Sequence, residues 1–92
     1  MRIRLSTSAQ LDLARLPEFL APKSVTAAAR ARMVMISALD SLGETPLRGR
    51  PLDRGGLREI VVSFGRGGYV FRYRATDEEV FVTRIFHTRE RR

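Results

Sequence analysis

The amino-acid sequence predicts an α+β fold of order β-α-α-β-β-β, with an N-terminal strand and a helical hairpin packed on a small, mainly antiparallel sheet. Three observations predict it. Apolar residues recur at helical spacing between Ala9 and Leu42, and apolar and polar residues alternate at the N-terminus and again from Leu57 onward. The last three alternating runs are joined by connections short enough for hairpins, which makes them an antiparallel meander. A chain of 92 residues supports one modest core, so residues 1–92 are read as a single domain.

Each element follows from local chemistry. Arg2–Ser6 alternates arginine with Ile3 and Leu5, the period-2 pattern of a short half-buried strand. Ser6, Thr7 or Ser8 then caps a helix carrying Ala9, Leu13, Leu16 and Leu20, in which Pro17 removes a backbone donor and predicts a kink or restart. Pro22 ends that element and Ser24 offers the next cap. Ala28, Ala31, Met35, Leu39 and Leu42, with Ile36 beside them, form the apolar stripe of a second helix that stops at Gly43. Glu44–Gly56, rich in proline and glycine, is a loop. Strands are expected over Leu57–Phe64, Tyr69–Ala75 and Val80–His87, joined by Gly65-Arg66-Gly67-Gly68 and by Thr76-Asp77-Glu78. Amphipathic helices and a half-apolar sheet each need a partner, so the hairpin covers one sheet face.

Composition narrows the functional classes. The net charge of +7 and pI of about 11.4 suit a polyanionic or acidic partner. The excess is uneven: residues 1–47 hold six basic and four acidic side chains, residues 48–92 eleven and six. The alternative source is codon bias, because every basic residue but Lys23 is arginine. No cysteine and one histidine exclude a disulfide framework and leave too few ligands for a metal site. No cofactor is implied. The Gly65–Gly68 run joins two strands and opens no helix, which fails the context a phosphate loop requires. The opening residues lack the apolar core of a signal peptide, and Ala27–Leu42 is broken by Arg30, Arg32 and Asp40. A cytoplasmic protein without a membrane segment is the expectation.

Three stretches then carry a family resemblance. Leu13-Ala14-Arg15-Leu16 precedes an Ala/Arg-rich helix; Gly49-Arg50-Pro51 leads into Gly56-Leu57-Arg58-Glu59-Ile60-Val61-Val62; and Gly68-Tyr69-Val70-Phe71-Arg72-Tyr73-Arg74 is followed by Val80–Ile85 and His87-Thr88-Arg89-Glu90. Together they resemble the RelE/ParE superfamily, toxins of type II toxin–antitoxin pairs, on the ParE-like side. The resemblance implies the same element order. It also implies a cognate antitoxin whose extended, partly acidic C-terminal segment lies over the helical hairpin and sheet, giving a hetero-oligomer without membrane contact. ParE-like members inhibit DNA gyrase by binding; RelE-like members cut messenger RNA on the ribosome. Where RelE-like nucleases carry a phosphate-binding arginine after the Gly-Tyr pair this chain has Val70, and where one subgroup has a His-Tyr pair His87 is followed by Thr88. Gyrase is therefore the first reading, a ribonuclease the second, and a basic domain without toxicity the third.

The candidate target-binding residues are Arg58, Arg66, Arg72, Arg84, His87 and Arg89, with the tail Arg89-Glu90-Arg91-Arg92 beside them. A substitute ribonuclease site would draw on Arg72, Arg84, His87 and Arg89, groups able to hold a phosphate or move a proton. Each has a plainer alternative. Arg58, Arg72, Arg74 and Arg84 are placed to pair with Glu59, Asp77, Glu78 and Glu79 on a solvated sheet face. His87 is placed to hydrogen-bond Glu90 or a backbone carbonyl. Tyr69, Phe71 and Tyr73 alternate with Val70, Arg72 and Arg74 and read as packing rather than as a base-stacking platform.

Overall fold

A computed structural model of the chain describes residues 1–90. Arg91 and Arg92, the end of the tail assigned to the target surface, lie outside the described residues. The elements run β1 (Arg2–Leu5), α1 (Thr7–Glu18), α2 (Val25–Glu44), β2 (Arg50–Pro51), β3 (Arg58–Phe64), β4 (Gly67–Ala75) and β5 (Glu79–His87). The sheet order is β1-β5-β4-β3-β2, with β1 parallel to β5 and the other pairs antiparallel. The predicted α+β fold is the one observed. No described helix is long and apolar enough to cross a membrane.

Both helix starts are capped as the hydroxyls predict. Ser6 Oγ accepts from Ala9 N–H and Ser24 Oγ from Ala27 N–H, each at 3.0 Å. Pro17 does not restart α1. The helix continues to Glu18 and gives way to tight turns through Lys23, because a proline that near the end forfeits only a terminal bond. The loop before β3 contains a strand the sequence pattern did not predict: Arg50 and Pro51 pair with Glu59 and Arg58. Two residues are too few for any periodicity to register. The Gly49-Arg50-Pro51 motif is tied down from β4 and β3. Gly49 N–H donates to the buried Tyr73 hydroxyl at 2.8 Å, and Arg58 Nη1 donates to the Gly49 carbonyl, also at 2.8 Å. A Cβ at Gly49 would collide with the Tyr73 ring, so the motif needs glycine there.

The helical hairpin covers one sheet face. Ala9 and Leu16 of α1 and Ala31, Met35, Leu39 and Leu42 of α2 meet Ile60, Tyr69, Phe71, Tyr73, Val80, Val82 and Ile85 in one core. A β-bulge changes the phase of β5. Tyr73 faces Val82 while Arg72 faces Arg84, so Thr83 is the extra residue, and both Val82 and Ile85 point inward.

The bulge region is also where β1 runs out. Pairing of β1 with β5 stops at Leu5 and Val82, and Ser6 N–H makes the last bond, to the Val82 carbonyl. Thr88 bonds Gly68 on β4, so the alternate N–H groups of Ile85 and His87 face away from the sheet. Carboxylates take them. Asp12, only 3% exposed on the inner side of α1, accepts from Ile85 N–H at 2.9 Å, from Arg84 Nε at 2.7 Å and from Arg15 Nε at 3.1 Å. Glu90 accepts from His87 N–H and from Arg15 Nη1, both at 2.7 Å. Burial pushes both carboxyls up, but these donors outweigh it and hold each below its ordinary value.

A carboxylate held low in the fold stabilises it at any pH above its unfolded value, about 4. That contribution is lost as the pH falls from there through the folded value. Asp12→Ala leaves the Ile85 N–H and the Arg84 guanidinium without their acceptor, with Arg15 keeping only Glu90, and should cost about 2 kcal/mol at neutral pH, roughly 8–16 °C in Tm. Asp12→Asn should lower Tm at pH 7 and flatten the acid decline that sets in below about pH 4. Thermal unfolding from neutral pH into that decline checks both; a wild-type acid slope in Asp12→Asn would contradict the assignment.

Candidate target-binding groove

The end of α1, the β3–β4 hairpin tip and the end of β5 enclose a groove of about 410 Å³. Leu16, Phe19, Leu20 and Phe64 give it an apolar wall, and Tyr69, Arg66, His87, Arg89 and Glu90 complete the lining. Phe64 and Tyr69 rings sit 6.0 Å apart, and the His87 ring meets Tyr69 edge-on at 5.5 Å. Burial pushes the Tyr69 hydroxyl up, so it stays protonated and offers no phenolate base.

His87 is oriented by its own backbone neighbourhood. Its Nδ1 accepts from Arg89 N–H at 3.1 Å, which puts the imidazole proton on Nε2 in the neutral ring. Glu90 accepts from the His87 backbone N–H and the ring accepts from the Arg89 N–H, where the sequence offers Glu90 or a backbone carbonyl as the partner of His87. The ring lies over Gly67, where a Cβ would stand 3.0 Å from Cε1 and 2.8 Å from Thr88 Oγ1. Glycine at 67 makes room for that placement. Thr88 adds a further rung between the strand ends, donating its N–H to the Gly68 carbonyl at 3.0 Å.

The six target-binding candidates divide in two. Arg66, His87 and Arg89 converge on the groove, and among the described residues neither guanidinium has an ion-pair partner. The other three do not join them. Arg58 holds the Leu47 and Gly49 carbonyls. Arg72 lies on the opposite sheet face and grips the buried Glu59 at 2.9 and 2.6 Å. Arg84 is committed to Asp12, a partner on α1 that strand periodicity could not reveal. Tyr69, Phe71 and Tyr73 are all buried on the helix-covered face, and Val70 is buried on the other.

Asp12 is the residue sequence reasoning passed over. Asp12 occupies the apolar stripe between Ala9 and Leu16, and a carboxylate at a core position is a legible signal that a buried donor faces it. Chemically, an Nε2–H donor and two unpaired guanidiniums beside an apolar wall suit a carboxylate or phosphate attached to a bulky apolar group. No described group of acidic, histidine or cysteine side chains could hold a metal ion.

Residues 3–92 match the family model described as the ParE toxin of type II toxin–antitoxin systems. The chain belongs to that family. Within the wider RelE/ParE superfamily it is 42% identical over 90 residues to "Toxin RelE1" of Caulobacter vibrioides, covering 98% of this chain and 96% of the relative. "Toxin RelE3" of the same organism is 36% identical over 90 residues, at 98% and 97% coverage. The fold matches a chain of the chromosomal ParDE system from P. aeruginosa with TM-score 0.77 at 19% identity, over 95% of both chains. It also matches a chain of the RelBE2 toxin–antitoxin complex from Mycobacterium tuberculosis with TM-score 0.67 at 28% identity, over 94% and 95%.

Because Arg66 and Arg89 carry no structural ion pair, their removal should leave stability within about 0.5 kcal/mol of the parent. Arg66→Ala, His87→Ala and Arg89→Ala should each relieve growth arrest on induction, with Arg66→Ala and Arg89→Ala keeping the parental Tm. Arg84→Ala should instead lose stability. Undiminished arrest in all three groove variants would remove the groove from the account.

Proposed function

We propose that this ParE-family toxin acts by binding, that its target is DNA gyrase, and that a cognate antitoxin neutralises it. The observation that carries the binding mechanism is the groove itself: an apolar wall beside Arg66, His87 and Arg89, whose lining carboxylate, Glu90, is held by Arg15 and by the His87 backbone N–H. An mRNA-cutting site needs a cation on the scissile phosphate and a separate base and acid. Val70 stands where the resemblance expects the phosphate-binding arginine, and Arg72 and Arg84 are engaged by Glu59 and Asp12. Membership of the ParE family supports gyrase as the target, and a gyrase target supports a cytoplasmic site of action.

The antitoxin reading is supported by the kinship with chains from ParDE and RelBE2 systems, the latter solved as a toxin–antitoxin complex. A net charge of +7 favours an acidic partner and speeds its encounter. The convergence of His87 with two arginines also supports, as a second reading, a ribosome-dependent endonuclease with a reduced catalytic set.

Brief induction in a bacterial host separates the readings. The expected outcome is a DNA-damage response and loss of plasmid supercoiling while translated messages stay intact. Rapid cleavage of ribosome-bound messages with normal supercoiling would replace gyrase binding with the nuclease reading, and unchanged growth would remove both.

A further inference from the structure

Two tyrosines of β4 face the helix-covered side, and the fold uses the hydroxyl of only one. Tyr73 is fully buried, and its hydroxyl accepts from Gly49 N–H. Tyr69 is 2% exposed, yet among the described residues its hydroxyl has no hydrogen-bond partner. Its ring packs against Phe64 and His87, contacts that a phenylalanine would make equally well. A buried hydroxyl without a partner is unfavourable. This one is not sealed in: Tyr69 lines the groove, and the sealed side-chain oxygen left unpartnered among the described residues is Ser41 Oγ. The missing acceptor is therefore one that a ligand in the groove can supply.

The other polar groups there are donors as well. Arg66 and Arg89 hold no carboxylate among the described residues, and the neutral His87 ring carries its proton on Nε2. Glu90, the lining carboxylate, is taken by Arg15 and the His87 N–H. Four donors without a free acceptor match a group that only accepts and that carries negative charge. The apolar wall calls for a bulky apolar neighbour to that group, and Phe19, 67% exposed, carries the wall onto the open surface. A small molecule filling the cavity leaves Phe19 in water, whereas a protein segment covers it. Such a segment brings its negative charge as aspartate or glutamate.

We propose that Tyr69 is a fourth target contact beside Arg66, His87 and Arg89, and that together they read an acidic side chain of the target protein set next to a bulky apolar one. This rests on the reading of the groove as the target site and names the chemistry it selects. The carboxylate accepts from the Tyr69 hydroxyl, His87 Nε2–H and the guanidiniums, while the apolar side chain lies against Phe19 and Phe64.

Tyr69→Phe keeps the ring and removes the oxygen. In the full chain it should raise the toxin level needed for growth arrest by about tenfold or more, with Tm at or above that of the parent. Two capped peptides, acetyl-Asp-Phe-amide and acetyl-Asn-Phe-amide, probe the charge directly when titrated into the purified chain. The first should shift the His87 ring and the Gly65 and Gly67 amides saturably; the second, and the first on Tyr69→Phe, should bind about tenfold more weakly or less. A lowered Tm in Tyr69→Phe would assign the hydroxyl to the fold and overturn the contact. Parental arrest in Tyr69→Phe, with arrest lost in Arg66→Ala and Arg89→Ala, overturns the contact and leaves the groove standing. Parental arrest in all three overturns the groove reading as well. Equal binding of the two peptides, or binding of neither, overturns the acidic assignment. So does phenyl phosphate binding about tenfold tighter than the acidic peptide, which would make a phosphate the ligand.

Discussion

β5 outlasts its parallel neighbour. β1 stops pairing at Leu5, opposite Val82, whereas β5 continues to His87, so two N–H groups have no strand beside them. An unpaired buried donor costs free energy comparable to a lost hydrogen bond. Asp12 on α1 and Glu90 just past β5 take those donors, and Arg15 bridges the two carboxylates. The position of α1 across the sheet edge is therefore set by hydrogen bonding as well as by the packing of Ala9 and Leu16.

The groove depends on the same arrangement. Its apolar wall begins at Leu16, one turn beyond Asp12, and its cationic side begins at His87, whose backbone Glu90 holds. Six arginines thus divide by role. Arg15, Arg72 and Arg84 neutralise carboxylates the fold needs, and Arg58 ties the β2 loop; Arg66 and Arg89 face the groove with their charge uncommitted. Net charge alone does not distinguish these roles, because the distinction lies in three-dimensional neighbours.

Much of the fold was legible in the sequence. The caps at Ser6 and Ser24, the stripe from Ala28 to Leu42 and the three C-terminal strands rest on local rules that tertiary structure did not override. Period-2 alternation also placed Tyr69, Phe71 and Tyr73 on one face. β2 was not legible, because two residues carry no period. The Thr83 bulge leaves only a phase change, Val80 and Val82 inward and then Ile85. For the site, the sequence supplied the residue types and half of the set: Arg66, His87 and Arg89 meet, whereas Arg72 and Arg84 are drawn off by Glu59 and Asp12, contacts 13 and 72 residues apart. The sequence offers Glu59 as a partner for these arginines, whereas the Arg84–Asp12 pair arises from topology and leaves no local pattern.

The claim on which the rest turns is that the Asp12–Arg15–Glu90 link sets the groove by fixing the end of β5. Nitrogen NMR of the His87 ring reads this directly, since the Arg89 N–H bond to Nδ1 selects the Nε2–H tautomer of the neutral ring. That tautomer should dominate in the parent chain at a pH where the ring is neutral, and Glu90→Ala should return the ring to a mixture while the core amides keep their shifts. A ring mixture already present in the parent, or one unmoved by Glu90→Ala, would contradict the account.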